Sequence, residues 1–199
     1  MKELTINNDY ELIDFANSLG KPIPSRVQGP LIDNLIPLYN NDAHEQSLSA
    51  KYGINDFPFH TDGAYFEIPP RYIVLRYIRG IDNPTPTVVC DMKNIVEKDK
   101  NMLKHSIWKV KSRSGFFLST ILSEENNVFR YDKCVMQPSI SHNNNSQYFE
   151  DLVSGLPKEE IRWSLNKTVV LDNWTFLHSR PKVKNMEINF RTLQRIMIL

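Results

Sequence analysis

The chain has 199 residues, of which 41% are hydrophobic and 24% are charged, and its formal net charge at pH 7 is +1. These values are ordinary for a globular protein, and we expect residues 1–199 to form one domain with its own core. The near-neutral charge favours neither nucleic acid nor a membrane surface as a partner, and the absence of an apolar leader predicts a cytoplasmic location.

The predicted elements begin with a helix over residues 9–19, where apolar residues recur at helical spacing before a glycine. The proline-rich residues 20–40 predict irregular or short extended structure. Further along the chain, two segments predict helices, KNIVEKDKNMLKHS (capped by Asp91) and SQYFEDLVSGL, and the others predict strands: RYIVLRYIRG, TVVCDM, IWKVKSR, GFFLSTIL, NNVFRYD, KTVVLDN, WTFLHSR and INFRTLQRIMIL. Many short strands with few long helices favour a mainly β fold, a sandwich or barrel with flanking helices.

One short stretch carries the first chemical signal. Residues 57–66 read FPFHTDGAYF, so an imidazole and a carboxylate stand two residues apart in an apolar segment. Burying either group unpaired is costly. In an extended strand residues i and i+2 point to the same side, so His60 and Asp62 could reach one metal ion, or they could hydrogen-bond in water at a strand end.

A second histidine, His178, follows another apolar run in VVLDNWTFLHSR. Two imidazoles and one carboxylate make the facial triad of non-haem Fe(II) oxygenases, which leaves positions open for a chelating 2-oxo acid and for dioxygen. A dicarboxylic 2-oxo acid needs a cation at its far end, and the planar fork of arginine suits a carboxylate. Arg191 and Arg195 follow in RTLQR and would share a strand face; the alternative is that both are solvated.

Taken together, motifs over about residues 55–199 resemble those of the TauD/TfdA group, close to its clavaminate-synthase-like and amino-acid oxygenase branches. The motifs are HTD at 60–62, Thr87 in TPTVVCDM, FRYD at 129–132, NWTFLHSR at 173–180 and RTLQR at 191–195. Members of this group are Fe(II)- and 2-oxoglutarate-dependent dioxygenases. The resemblance implies a double-stranded β-helix, or cupin-like jelly roll, as a core over residues 55–199. An N-terminal helix and irregular segment would occupy residues 1–54.

The resemblance also implies a role for individual residues. His60, Asp62 and His178 would be the catalytic iron ligands. Arg191 would bind the distal carboxylate of 2-oxoglutarate, and Thr87 would hydrogen-bond the same group, with Thr85 as a competing choice. The primary substrate would be contacted by Arg195, Tyr65 and Arg130. For Arg130 the alternative is a structural role.

The implied reaction uses Fe(II), 2-oxoglutarate and O2 to oxidise, in most cases to hydroxylate, an unactivated C–H bond, with release of succinate and CO2. The expected substrate is a small amino-acid-like or carboxylic-acid metabolite. One alternative keeps this chemistry for a carrier-tethered or peptide substrate. Two others belong to different classes, a non-catalytic metal-binding jelly-roll module and a zinc hydrolase using the same histidines. The sequence leaves the oligomeric state open.

Overall fold

The computed structural model describes residues 1–45, 47–123, 127–139 and 145–199, and strands dominate these residues. The strands are β1 Lys2–Thr5, β2 Pro22–Ile23, β3 Asp33–Leu35, β4 Phe57–His60, β5 Tyr72–Arg79, β6 Thr87–Asp91, β7 Trp108–Ser112, β8 Gly115–Ser119, β9 Met136–Pro138, β10 Glu159–Ile161, β11 Lys167–Asp172, β12 Phe176–Arg180 and β13 Thr192–Ile198. The helices are α1 Asp9–Leu19, α2 Leu48–Tyr52, α3 Glu97–His105 and α4 Asn145–Gly155.

Two antiparallel sheets face each other across the main core. In the described part of the chain the larger sheet has the order β1-β11-β5-β13-β2, with β3 also paired to β13, and the smaller has the order β10-β6-β12-β4. Inward side chains of both sheets form one apolar cluster, in which Leu75 and Met197 of the larger sheet join Val89 and Phe176 of the smaller one. Alternation along each strand therefore directs every second side chain into the space between the sheets.

Each sheet also carries an apolar layer on its outer face. Helix α1 covers the larger sheet, where Leu12 and Ala16 are fully buried in a cluster with Val74 and Ile196. The outer face of the smaller sheet, including Leu177, is covered by residues from α3, α4 and the small sheet β8-β7-β9. The predicted sandwich with flanking helices is thus confirmed. Among the helices of the described residues, none combines the length and the apolar character needed to cross a bilayer.

Two predicted elements differ from the structure. NNVFRYD was predicted as a strand, but in its described residues, 127–132, the only strand-like pairing is a single bridge between Phe129 and Leu122. The backbone of this segment instead bonds to loops, since the Phe129 N–H donates to the carbonyl of Trp174. The helix predicted in KNIVEKDKNMLKHS begins only at Glu97, because Asp91 caps a preceding 3₁₀ turn at Met92–Asn94.

The last predicted strand, INFRTLQRIMIL, begins later than its sequence pattern indicated. Residues 187–191 form a helical turn, in which the Arg191 N–H donates to the Glu187 carbonyl at 2.9 Å. Strand β13 then starts at Thr192, and its pairing with β5 is irregular between Thr192 and Leu193. The prediction that Arg191 and Arg195 lie on one strand face was therefore wrong in its local geometry, because Arg191 precedes the strand.

The packing of α1 leads to a stability prediction. Leu12 is fully buried, so Leu12→Ala should lower the free energy of unfolding by about 2–5 kcal/mol. Tyr10 on the same helix is 82% exposed, and Tyr10→Ala should change the free energy of unfolding by less than about 0.5 kcal/mol. Urea denaturation of both variants measures the difference. Equal stabilities would contradict the packing of α1 against the larger sheet.

Candidate active site

The centre of the candidate site is a pair of histidines on adjacent strands. His60 ends β4 and is the register partner of His178 on β12. Their ring centroids lie 4.3 Å apart. On its other side His178 is the register partner of Val89, which belongs to the core between the sheets. Because register partners share a face of a sheet, both imidazoles point into the sandwich.

Asp62 joins this pair from the turn that follows β4. Gly63 has a φ of +67° and a Cβ there would lie 2.7 Å from Pro70 Cδ, so the turn requires glycine. The side chain of Asn173 fixes the turn, accepting from the Asp62 N–H at 2.9 Å and donating to the Asp62 carbonyl at 3.0 Å. Sequence reasoning assigned Asn173 no role; its only signal was a polar residue at the end of the apolar run VVLD.

The three side chains form a compact set of metal-ligand atoms. Donor atoms of His60, Asp62 and His178 lie within 4.8 Å of one another, and all three residues are buried. His60 Nδ1 lies 2.9 Å from the carbonyl oxygen of Pro58. A carbonyl can only accept, so Nδ1 carries a proton, and in the neutral ring Nε2 is the nitrogen with the lone pair. Two imidazole nitrogens and a carboxylate oxygen at this spacing fit a divalent transition-metal ion.

Burial and neighbouring charges set the protonation of this cluster. Burial, reinforced by His60, lowers the pKa of His178 to about 3, so the imidazole is neutral at pH 7, as metal ligation requires. Burial by itself would raise the pKa of Asp62. The charge of Arg195 is the largest influence that opposes burial, and the pKa of Asp62 lies below its usual value. Asp62 is therefore an anion at neutral pH.

Arg195 bridges Asp62 and a second buried carboxylate. Its Nη1 donates to Asp62 Oδ1 at 2.7 Å, and its Nη2 donates to Asp33 Oδ2 at 2.9 Å. Burial would lower the pKa of Arg195, but the charges of Asp62 and Asp33 raise it. Asp33 lies on β3 as the register partner of Arg195 on β13. Sequence reasoning missed Asp33, because it lies in the proline-rich segment 20–40 and belongs to no motif.

Arg191 is a buried cation whose pairing is incomplete. Its residue is 2% exposed, and its Nε lies 3.4 Å from Glu187 Oε2. Neither Nε nor Nη2 has a hydrogen-bond partner among the described residues. Burial lowers the pKa of Arg191, opposed by the charges of Glu187 and Tyr77. Because unpaired buried donors are costly, this guanidinium is suited to an incoming anion.

The two candidate threonines have different partners. Thr87 begins β6, and its Oγ1 accepts from Trp163 Nε1 at 3.2 Å. Thr85 instead contacts Glu187, whose Oε1 accepts from the Thr85 N–H at 2.9 Å and from the Thr85 hydroxyl at 2.6 Å. Sequence reasoning missed Glu187, because its i,i+4 spacing from Arg191 has meaning only in a helical turn, and this segment was predicted as strand.

Tyr65 and Arg130 both hold the loop that follows Asp62. The Tyr65 hydroxyl donates to the carbonyl of Ser25. Burial raises the pKa of Tyr65, and the charges of Arg195 and Asp62 also act on it. The two Nη atoms of Arg130 donate to three backbone carbonyls, those of Ala64, Phe66 and Glu67. Tyr65 therefore lies beside the charged cluster, whereas these contacts favour the structural alternative for Arg130.

Comparisons with known proteins show similarity only at the level of structure, because no protein-family model and no curated protein matches the chain. A structure of the non-haem iron oxygenase OrfP with Fe, succinate and (3S)-hydroxy-L-Arg aligns at a TM-score of 0.73 and 15% identity, covering 96% of this chain and 66% of that one. OrfP with Fe and alpha-ketoglutaric acid aligns at 0.72 and 18% identity, covering 96% and 63%. Asparagine oxygenase (AsnO) aligns at 0.74 and 15% identity, covering 94% and 62%.

This chain thus spans somewhat less than two thirds of the length of these proteins. At such low identity the likeness concerns the fold. It confirms the predicted mainly β architecture with flanking helices, the cupin-like double-stranded β-helix of non-haem iron oxygenases.

Proposed function

We propose that this protein is an Fe(II)- and 2-oxoglutarate-dependent dioxygenase that hydroxylates an unactivated C–H bond of a small amino-acid-like metabolite. The observation that carries the proposal is the convergence of His60, Asp62 and His178 donor atoms within 4.8 Å. Bound there, Fe(II) supplies the activation of O2 coupled to the oxidative decarboxylation of 2-oxoglutarate to succinate and CO2. The chain's own residues supply ligand geometry, anchoring and a site shielded from water.

In this proposal the ligand atoms are held ready before metal binds. The Pro58 carbonyl holds the His60 ring in the tautomer that presents Nε2. Arg195 occupies Asp62 Oδ1 and leaves Oδ2, which lies 3.7 Å from His178 Nε2, as the ligand oxygen. Asp62 would therefore bind iron through one oxygen, which keeps other positions on the metal open for the co-substrate and O2.

We assign Arg191 as the anchor of the 2-oxoglutarate distal carboxylate, since two of its nitrogens lack partners in the described residues. The hydrogen-bond pattern favours Thr87 over Thr85 as the second donor to this carboxylate. The Thr87 oxygen accepts from Trp163, so its own hydroxyl proton is free to donate. The Thr85 hydroxyl already donates to Glu187.

The charges around Arg195 favour an amino acid as the substrate. An amino acid carries a carboxylate and an ammonium group, and Arg195 and Asp33 offer the complementary charges 2.9 Å apart beside Asp62. The unpartnered Arg195 Nε is a further donor, and Tyr65 lies next to this group. Among the neighbours, OrfP holds (3S)-hydroxy-L-Arg and an asparagine oxygenase holds 3-hydroxyasparagine. We assign Arg195 to the substrate carboxylate and Arg130 to positioning the loop after Asp62.

We also infer that residues 1–199 act as one domain. The strands contributed by residues 1–54 belong to the same sheet as β5, β11 and β13. In particular, β3 from this segment brings Asp33 to Arg195. A core starting at residue 55 would therefore lack part of the proposed substrate site.

The metal assignment predicts the effect of removing one imidazole. His178→Ala should weaken Fe(II) binding by more than about 100-fold. Losing a residue that only orients a metal ligand already lowers metal affinity by up to about 100-fold, and losing the ligand itself should lower it more. His105→Ala, on α3 and outside the cluster, is the matched control and should bind Fe(II) as the wild type does. Anaerobic Fe(II) titration measures both. Equal binding by the two variants would contradict the assigned site.

The anchor assignment predicts a different defect. Arg191→Ala should retain Fe(II) but lose 2-oxoglutarate affinity by at least about 30-fold, the minimum for deleting one partner of a buried charged pair. Arg76→Ala removes an equally buried arginine that pairs with Asp9 and Gln194 on the face covered by α1, and should leave that affinity unchanged. The weak visible absorbance of the anaerobic iron–2-oxoglutarate chelate reports binding. If Arg191→Ala binds 2-oxoglutarate like the wild type, the anchor lies elsewhere.

The substrate class is tested by succinate release. An amino acid identified by screening should support turnover. Its analogue without the carboxylate and its analogue without the amine should each be at least about tenfold poorer in kcat/KM, because each loses a charged hydrogen bond to Arg195 or Asp33. Equal activity with all three would contradict the roles of Arg195 and Asp33. Turnover only with carrier-tethered or peptide forms would favour that alternative. Iron binding without turnover on any of them would favour the non-catalytic module.

A further inference from the structure

The most unusual group outside the proposed metal centre is Glu187. It is fully buried, and one of its carboxylate oxygens, Oε1, accepts two hydrogen bonds from Thr85. Its other oxygen, Oε2, lies 3.4 Å from Arg191 Nε but has no hydrogen-bond partner in the described residues. Thr85 thus holds the Glu187 carboxylate beside Arg191. At this distance the carboxylate offsets the charge of the guanidinium but does not form a good hydrogen bond with it.

A second guanidinium group, that of the partly buried Arg180, lies near this pair. Arg180 is near enough that the charges of both Arg191 and Glu187 act on it, and burial followed by Arg191 lowers the pKa of Arg180 to about 10. Its Nε is also without a hydrogen-bond partner, as are Nε and Nη2 of Arg191. The charge of Asp56 also acts on Arg180, so two carboxylates match the two guanidinium groups, and the spare capacity of the cluster lies in the unpartnered donors of Arg191. An incoming carboxylate can therefore complete the hydrogen bonding of Arg191, although its charge adds to that of Glu187.

We propose that Glu187 is the resident counter-ion of Arg191 and sets the affinity of the site for the distal carboxylate of the co-substrate. This inference rests on the proposed function, in which Arg191 anchors 2-oxoglutarate. Without co-substrate, the negative charge of Glu187 partly compensates the positive charge of the buried Arg191 guanidinium. With co-substrate, the two carboxylates share Arg191, and their mutual repulsion weakens binding. Glu187 is a positioning and affinity-determining residue and does not itself touch iron.

Glu187→Gln separates these effects. The amide oxygen still accepts from the Thr85 N–H and hydroxyl, so the local geometry is retained while the charge is removed. The affinity for 2-oxoglutarate should then rise by on the order of tenfold or more, because an anion a few ångströms from the incoming carboxylate is gone. The variant without ligand should melt at a lower temperature than the wild type. Its gain in Tm on adding 2-oxoglutarate should be larger.

The experiment is an anaerobic titration of the Fe(II)-loaded wild type and Glu187→Gln with two ligands, followed by chelate absorbance and thermal melting. 2-Oxoglutarate carries the distal carboxylate, whereas 2-oxobutyrate has the same chelating end without it. The proposal expects tighter 2-oxoglutarate binding and unchanged 2-oxobutyrate binding. Unchanged or weaker binding of 2-oxoglutarate overturns it, as does an equal gain for both ligands, since a general structural effect would not depend on the distal carboxylate.

Failure of the variant to fold and failure of the wild type to bind are distinguished as follows. If Glu187→Gln does not fold by itself, refolding in the presence of each ligand replaces the titration. Recovery with 2-oxoglutarate but not with 2-oxobutyrate supports the counter-ion role, and failure with both overturns it. If the wild type gives no chelate absorbance with 2-oxoglutarate, the proposed function fails and the role of Glu187 fails with it. A wild-type signal with no effect of the substitution overturns the role of Glu187 alone.

Discussion

The antiparallel pairing of β4 with β12 is the interaction on which the rest of the site depends. Its register places His60 opposite His178, and a slip of one residue would turn an imidazole to the opposite face of the sheet. Just beyond β4 a backbone contact also holds the chain between His60 and Asp62, since the Thr61 N–H donates to the Tyr131 carbonyl at 2.7 Å. Asn173 then ties the Asp62 turn to the end of β11. The spacing of the three donor atoms is therefore determined by the backbone more than by flexible side chains.

Two arginines near the start of β13 show how differently a buried cation can be used. Arg195 has a carboxylate at each Nη atom, so its position is fixed and it orients Asp62 in turn. Arg191 has one carboxylate, at a distance beyond a good hydrogen bond, and keeps unpartnered nitrogens. A guanidinium with a carboxylate at each Nη atom is held rigidly, whereas one whose Nη2 and Nε both lack partners retains more capacity for an anion. This contrast supports separate roles in the proposed enzyme: Arg195 orients Asp62 beside the substrate, and Arg191 binds the co-substrate.

The likeness to OrfP and AsnO supports the functional proposal only in combination with these side chains. At 15–18% identity it establishes a double-stranded β-helix, and one fold can serve many functions. The chemical argument comes from a donor set inside the sandwich, a neutral His178, an anionic Asp62 and an arginine without a complete set of partners. A module that merely retained the fold would have no physical need to keep Arg191 buried at the cost of unsatisfied donors.

By itself the sequence determined the helix at residues 9–19, most of the strands and the residue types of the candidate cluster, because apolar periodicity and short motifs such as HTD are local signals. It failed where local pattern and tertiary context disagree: NNVFRYD has strand composition but bonds to loops, and Arg191 lies in a turn that continues into a strand. Only the tertiary structure decided that Asp33 faces Arg195 and that Glu187 faces Arg191. Such pairings of buried charge follow from strand register and from the geometry of a single turn, neither of which leaves a periodic trace along the chain.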